Sequence, residues 1–133
     1  MPVYFESAEQ PSPQDLIDLE KIYADAPSWL ISPYANAAAL LEHGLTSNTL
    51  VTARFNSRLL GAALLDKQAG TWTLSHLCVR ALTRKRGVAR RVLEEATRLA
   101  EEAQATLQVM IPQDQTELLQ LAHNKSLSIV TTD

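Results

Sequence analysis

Five of the chain's 12 lysine and arginine residues, Arg84, Lys85, Arg86, Arg90 and Arg91, fall within eight positions around Gly87. The stretch that holds them, TRKRGVARRVLEEATRLAEEA, reads as a loop entering a helix, so the charge collects at a helix N-terminus. Cations are disfavoured there, because the terminus carries roughly half a positive charge and exposes backbone N–H groups without intrahelical partners. An anion at that terminus removes the conflict: N–H groups of a tight turn, the helix dipole and nearby Arg or Lys side chains together make a phosphate cradle. Gly87, lacking a Cβ, lets the backbone come close to phosphate oxygens, and the small Ala89 suits the same approach. The pattern is Arg84-x-x-Gly87-x-Ala89. A Walker A loop (G-x-x-x-x-G-K-[ST]) and a dinucleotide fingerprint (G-x-G-x-x-G) are both excluded, since the other glycines, Gly44, Gly61 and Gly70, lie far from Gly87. The competing reading is a solvated charge run on an ordinary connection. The strand–loop–helix setting favours the anion, because places that break local rules tend to be functional.

The elements around the cradle follow from punctuation and period. SPQDLIDLEKIYADAP opens with Ser12 as N-cap, Pro13 at the first helical position and Asp15 three residues after the cap, then carries Leu16, Leu19 and Tyr23 at helical spacing. SPYANAAALLEHG repeats the grammar and predicts a second helix, with Ser32 before Pro33 and Gly44 just past its end. Three β-leaning runs follow, near 49–55, 58–65 and 71–79, with turns at Asn56-Ser57 and from Asp66 to Gly70, which together predict an antiparallel three-strand meander. In the helix from Gly87 to Ala103, Val88, Val92, Ala96, Leu99 and Ala103 form the apolar stripe, opposite Arg91, Glu94, Glu95, Arg98 and Glu102, with Glu94 and Arg98 as an i,i+4 pair. ATLQVMIP reads as a buried strand stopped by Pro112, DQTELLQLAHN as a short helix and SLSIVTT as a last strand. A strand, a packed helix and another strand make a βαβ crossover, so 71–79 and 106–111 are expected to run parallel.

At 133 residues and 46% hydrophobic, the chain has the size of one domain, 1–133, that builds its core without staples. Its single cysteine, Cys78, excludes an internal disulfide framework and fits a reducing cytoplasmic setting. No metal site is suggested. The start MPVYFESAEQ has no leader-like pattern and no run approaches a membrane span, so no membrane partner is expected. A net charge of −3 argues against a general nucleic-acid binder, which needs a broadly basic face.

The order of these elements and the stretch LCVRALTRKRGVARRVLEEA resemble the GNAT superfamily of N-acetyltransferases, in particular the loop Q/R-x-x-G-x-G/A that holds the pyrophosphate of acetyl-CoA. The resemblance implies an α/β (α+β layered) GNAT fold: a mixed central sheet with an antiparallel meander, a βαβ crossover and flanking helices. It also implies acetyl-CoA (or CoA) as cofactor, with Leu77, Cys78 and Val79 along the pantetheine arm and Thr83, Arg84, Lys85, Arg86, Gly87, Val88, Ala89 and Arg90 around the pyrophosphate. Arg84 or Lys85 would meet the ribose 3′-phosphate, and the sequence does not choose between them.

Within that superfamily, SPQDLIDLEKIY, ARFNSRLLGA and VRALTRKRGVARRVLEEA, about 40 of the 133 residues, resemble the small acetyl-CoA sensors that mature and regulate aspartate decarboxylase. That resemblance implies aspartate decarboxylase, as proenzyme and as mature enzyme, for a partner, with Arg54 and Asn56 of the RFN segment facing it. The chain departs from the pattern in a longer 27–47 stretch, in Ser57 where an acidic residue stands in that family, and past Gln104.

Acetyl transfer to an amine needs a base for the acceptor and a proton donor for the leaving thiolate. Many superfamily members use a tyrosine on the helix after the fifth strand; here Tyr4, Tyr23 and Tyr34 all lie in the N-terminal quarter, and that helix offers only His123, which reads as a surface residue. His76 is the candidate base, on the strand expected to line the acetyl end, although strand alternation turns its side chain away from that of Leu77. Cys78 shares the parity of His76 and reads as a wall residue, and Trp29 and Trp72 read as packing. Two functions remain open: an acetyl-CoA-gated binding protein, favoured by the missing tyrosine and by RFN, and an N-acetyltransferase acting on a small amine or peptide.

Overall fold

The computed structural model of the chain describes residues 3–24, 26, 28–31, 33–80, 87–112, 119–120, 122–123 and 128–132. Among these residues the elements are, in order, β1 (Tyr4–Ser7), α1 (Pro13–Ala24), α2 (Ser28–Ile31), α3 (Ala37–Thr46), β2 (Leu50–Phe55), β3 (Arg58–Lys67), β4 (Thr71–Val79), α4 (Val88–Glu102), β5 (Thr106–Pro112) and β6 (Ser128–Thr132). The strands form one sheet in sequence order, antiparallel from β1 to β4 and parallel from β4 through β6. The expected meander therefore has a fourth strand, β1, which four residues were too few to announce, and the crossover through α4 is parallel as its βαβ pattern requires. Among the described residues no helix is long and apolar enough to cross a membrane.

Both faces of the sheet are covered. Leu19, Ile22, Tyr23, Leu40 and Leu41 from α1 and α3 pack with Leu50, Leu59, Ala62, Leu64 and Cys78 on one face. On the other, Val88, Val92, Leu93, Ala96 and Ala100 of α4 pack with Val51, Ala53, Ala63, Leu65, Leu74, Leu77 and Val79. A strand covered on both sides has no polar face, which explains why RLLGAALLDK is apolar almost throughout instead of alternating.

Three local expectations change. The third helix starts at Ala37, where the Asn36 side chain accepts from the Ala39 N–H at 2.8 Å, so the helix signal lies past Ser32-Pro33. Gly44 sits inside that helix, not beyond it: a Cβ there would come within 2.9 Å of Leu64 Cδ2 and 3.1 Å of Leu50 Cβ, so the glycine permits close packing on the sheet. In α4 the buried stripe includes Leu93 and Ala100, while Ala103 is exposed at the C-cap, and Arg98 pairs with Glu95 and Glu102.

Helix α1 is fastened by ions. Ser12 and Asp15 form a reciprocal capping box, Asp15 N–H to Ser12 Oγ at 3.0 Å and Ser12 N–H to Asp15 Oδ2 at 3.3 Å. One turn on, the fully buried Asp18 carboxylate accepts from Arg58 Nε and Nη2, from the Leu59 N–H at 3.1 Å and from Gln14 Nε2 at 3.0 Å. The Arg58 guanidinium is the main reason its carboxyl titrates at about 2, below the ordinary 3.8. A depressed folded pKa contributes stability that is complete above the unfolded value and lost as pH falls towards the folded one. We expect acid to remove about 1–2 kcal/mol of unfolding free energy between about pH 4 and pH 2, after allowing for solvent screening at Arg58, and Asp18→Asn to abolish that part of the slope. Urea titrations at successive pH values check it; an identical acid slope in Asp18→Asn would refute the assignment.

Candidate functional site

Helix α4 begins where its sequence conflict predicts something unusual. Its N-cap, Gly87, has φ +85° and no side-chain cap, and the first turn contains no acidic residue. Among the described residues a Cβ on Gly87 would meet nothing within 4 Å, so it is the left-handed backbone, not crowding, that calls for glycine here. Val88 is buried against the core, Ala89 also packs partly on it, and Arg90 is exposed. The small size of Ala89 thus serves helix packing. Arg91 is taken up by the fold, its Nε donating to the Val3 carbonyl at 3.1 Å and its Nη2 pairing with Glu95. Thr83, Arg84, Lys85 and Arg86 lie outside the described residues.

The end of β4 converges on the same place. A Cβ at Gly61 on β3 would fall 3.1 Å from Val88 Cγ1, 3.3 Å from the Cys78 carbonyl oxygen and 3.4 Å from Val79 Cγ2. This glycine therefore lets the first turn of α4 close on the end of β4. The parallel ladder between β4 and β5 runs from Thr71–Thr106 to Leu74–Val109 and has no further pair among the described residues, although β4 continues to Val79 and β5 to Pro112. The two strands part beside the start of α4. Leu77, Cys78 and Val79, all buried, line the β4 side of that parting: Leu77 and Val79 face α4, and Cys78 faces α1, its thiol donating to the Ile22 carbonyl at 3.3 Å.

His76 marks a bulge. The β3–β4 register slips between Ala62–Cys78 and Leu64–Ser75, and His76 takes φ +55°, a left-handed conformation that costs a bulky residue free energy. Its carbonyl accepts from the hydroxyl of fully buried Tyr23 at 2.8 Å, and burial pushes that phenol well above its ordinary pKa, so it stays a neutral donor. The imidazole Nδ1 lies 2.9 Å from Ser75 Oγ, and the ring meets Tyr34 (centroids 5.4 Å), which in turn meets His43 (5.2 Å). His123, at the other side of the chain's expected helix, is exposed. Trp72 is half-buried under Lys67, whose Nζ lies 4.9 Å from its ring centre.

Arg54 and Asn56 occupy the β2–β3 hairpin but differ in situation. Arg54 forms a bidentate pair with Asp15 (3.1 and 2.9 Å) and a third bond with Glu6 at 3.0 Å, and its guanidinium holds the Asp15 carboxyl below the usual range. Asn56 is exposed at the turn with φ +56°, a conformation asparagine tolerates. Tyr23, Asp15, Asp18 and Arg58, which brace the bulge and the hairpin, were not singled out in the sequence; the Ser12-x-x-Asp15 box and the helical spacing of Tyr23 were the signals that touched them.

The description "Acetyltransferase (GNAT) domain, PanZ" matches residues 2–125 of the chain. The "PanD regulatory factor" of Escherichia coli K12 is 34% identical over 90 residues, 68% of this chain and 62% of that relative, so the match spans less than two thirds of the relative's length. Among solved structures, a Pyrococcus horikoshii protein superposes with a TM-score of 0.75 at 12% identity, covering 99% of this chain and 92% of that one. The PaiA N-acetyltransferase of Thermoplasma acidophilum, solved in complex with coenzyme A, gives 0.70 at 14% identity, covering 94% and 89%. At those identities the superpositions show the fold, which is the GNAT fold.

The contrast between Arg54 and Asn56 has a measurable consequence. Arg54→Ala strands the buried Asp15 carboxylate and is expected to lose about 2 kcal/mol of stability. Asn56→Gly preserves the positive φ and is expected to stay within about 1 kcal/mol of the parent. Denaturant titration of both variants checks this, and a neutral Arg54→Ala would contradict the ion-pair account.

Proposed function

The chain belongs to the PanZ family of GNAT acetyltransferase domains, and from that premise we propose that it is a cytoplasmic, acetyl-CoA-dependent regulator of aspartate decarboxylase. In this reading one domain spanning 1–133 carries both a cofactor site and a docking surface. Loaded with acetyl-CoA, it binds the decarboxylase proenzyme, promotes its self-cleavage and restrains the mature enzyme.

One observation carries the cofactor half: α4 starts at a left-handed glycine with no cap and no acid, beside the point where β4 leaves β5. Backbone N–H groups of Val88 and Ala89, with the cations of Arg84, Lys85, Arg86 and Arg90, would receive the pyrophosphate, supplying the negative charge the terminus lacks. The Leu77–Val79 backbone would run along the pantetheine arm, which brings the acetyl end to the bulge at His76. The name of the curated relative supports the partner, and the exposed Asn56 at a turn clamped by Arg54 supports the docking place. Arg54 then acts chiefly by fixing the turn. The alternative, acetyl transfer to an amine with His76 as base, draws on the strained backbone of that residue.

Arg84→Glu with Arg86→Glu is expected to weaken acetyl-CoA binding at least about tenfold in calorimetry without unfolding the protein, since lost charge-assisted contacts are of that size. Unchanged affinity would remove the cradle. Mixing the protein with aspartate decarboxylase proenzyme, with and without acetyl-CoA, and following cleavage by mass tests the partner. Cofactor-dependent cleavage that Asn56→Gly abolishes is the expected result. Uncleaved proenzyme together with steady CoA release in an amine screen would establish the acetyltransferase instead.

A further inference from the structure

Helix α1 touches both halves of the proposed site. In its last turn the buried Tyr23 hydroxyl holds the His76 carbonyl at 2.8 Å, and the neighbouring Ile22 carbonyl accepts from the Cys78 thiol at 3.3 Å. In its first turns Asp15 grips Arg54, and Asp18 grips Arg58 and the Leu59 N–H. Arg54, Arg58 and Leu59 flank the Asn56-Ser57 turn on both sides. Tyr23 lies eight positions after Asp15, about 12 Å of helix at the standard rise.

We propose that α1 is a strut that transmits the state of the β4 bulge to the β2–β3 turn, so that acetyl-CoA at the bulge orders the turn that docks the partner. This rests on the cofactor and docking places proposed above. Three features make the helix suited to the task. Leu19, Ile22 and Tyr23 have no exposed surface, and a close-packed element moves as a body instead of absorbing a displacement. Both ends are held by specific hydrogen bonds, bidentate at the hairpin, so a shift at one end has a defined counterpart at the other. The residue at the bulge end, His76, is already in a costly left-handed conformation, so a ligand arriving at that backbone acts on a peptide whose geometry is held by Tyr23 and is not relaxed. Ligand preference for one bulge geometry then becomes a preference for one position of α1 and of the turn.

Linkage makes the coupling reciprocal, which allows it to be tested from both ends without the partner. Amide hydrogen exchange of the wild-type protein, read with and without acetyl-CoA, is expected to slow at Leu59 by about fivefold or more on binding. Tyr23→Phe keeps the core volume and deletes the hydroxyl; it is expected to bind acetyl-CoA in calorimetry while losing most of the Leu59 response. Asp18→Asn loosens the hairpin end and is far from the cradle; it is expected to weaken acetyl-CoA binding by about fivefold through the helix alone. Acetyl-CoA that binds wild-type protein with no change at Leu59, a full response in Tyr23→Phe, or unaltered affinity in Asp18→Asn each overturns the strut. Failure of the wild-type protein to bind acetyl-CoA overturns the cofactor site and the strut together. Protection at Leu59 with no association to decarboxylase proenzyme leaves the strut standing and overturns the partner.

Discussion

A carboxylate with no exposure to water must have its lone pairs occupied, and Asp18 is the place where this protein meets that demand. Its donors come from three directions: Gln14 on its own helix, the Arg58 guanidinium and the Leu59 N–H on β3. The pairing fixes α1 across the hairpin in a single register, since a slide of one residue would leave the ion buried without partners. The apolar residues of α1 then follow. Leu19, Ile22 and Tyr23 are set over β3 and β4, and the tyrosine ends within reach of the His76 carbonyl. Hydrophobic burial supplies most of the stabilising free energy here, but it is non-directional. The ion decides which burial occurs.

On the opposite face the constraint is geometric. A six-stranded sheet whose β4 pairs antiparallel on one side and parallel on the other carries a bulge at His76, and beyond it the parallel partner departs. Gly61 allows Val88 to seat close to Cys78 and Val79, so α4 starts where the sheet opens. The first N–H groups of a helix, which have no intrahelical acceptor, thereby start beside the place where the two strands part. The same opening that weakens the sheet supplies an edge along which an extended ligand can lie. Loss of pairing and the site proposed for the cofactor fall on one feature of the topology.

Much of this was legible from residues with local causes. The Ser12-Pro13-x-Asp15 start of α1, the two-residue hairpin turn, the amphipathic α4 and the parallel crossover depend on neighbours in sequence, and the structure carries each of them. What the sequence did not announce has mostly non-local causes. Gly44 resembled a helix end because glycine is common there, yet it is small so that Leu50 and Leu64 can approach from the sheet. Ser32-Pro33 imitated a helix start while Asn36 made the cap. Arg54, which the family resemblance turns towards a partner, gave no sign of its ion pairs, because Glu6 and Asp15 stand 48 and 39 residues away. The bulge at His76 left no compositional mark, since a two-to-one mismatch between strands is a property of pairing and not of either strand alone. For the cradle, the charge conflict pointed to the start of α4, and the left-handed, uncapped Gly87 is there, while the cations of 84–86 lie outside the described residues.

The chemistry around the bulge bears on whether the site consumes its cofactor or reads it. Acyl transfer calls for a base and a proton donor that can exchange protons with reactants and solvent. Tyr23, whose hydroxyl bonds the bulge backbone, is sealed from water, held neutral by burial and committed to the His76 carbonyl. The Cys78 thiol is buried and committed to the Ile22 carbonyl. His76 packs its ring on Tyr34, and that ring on His43, an arrangement that fixes the imidazole's orientation. Groups committed in this way hold a shape. On the function proposed above, polar residues that brace the bulge backbone, on a helix clamped at its other end to an exposed turn, suit a protein that converts the presence of a ligand into a surface. In the regulator proposed above, a fold shared with acetyltransferases would keep the binding half of the machinery, and the residues that could move protons would be given to the strut.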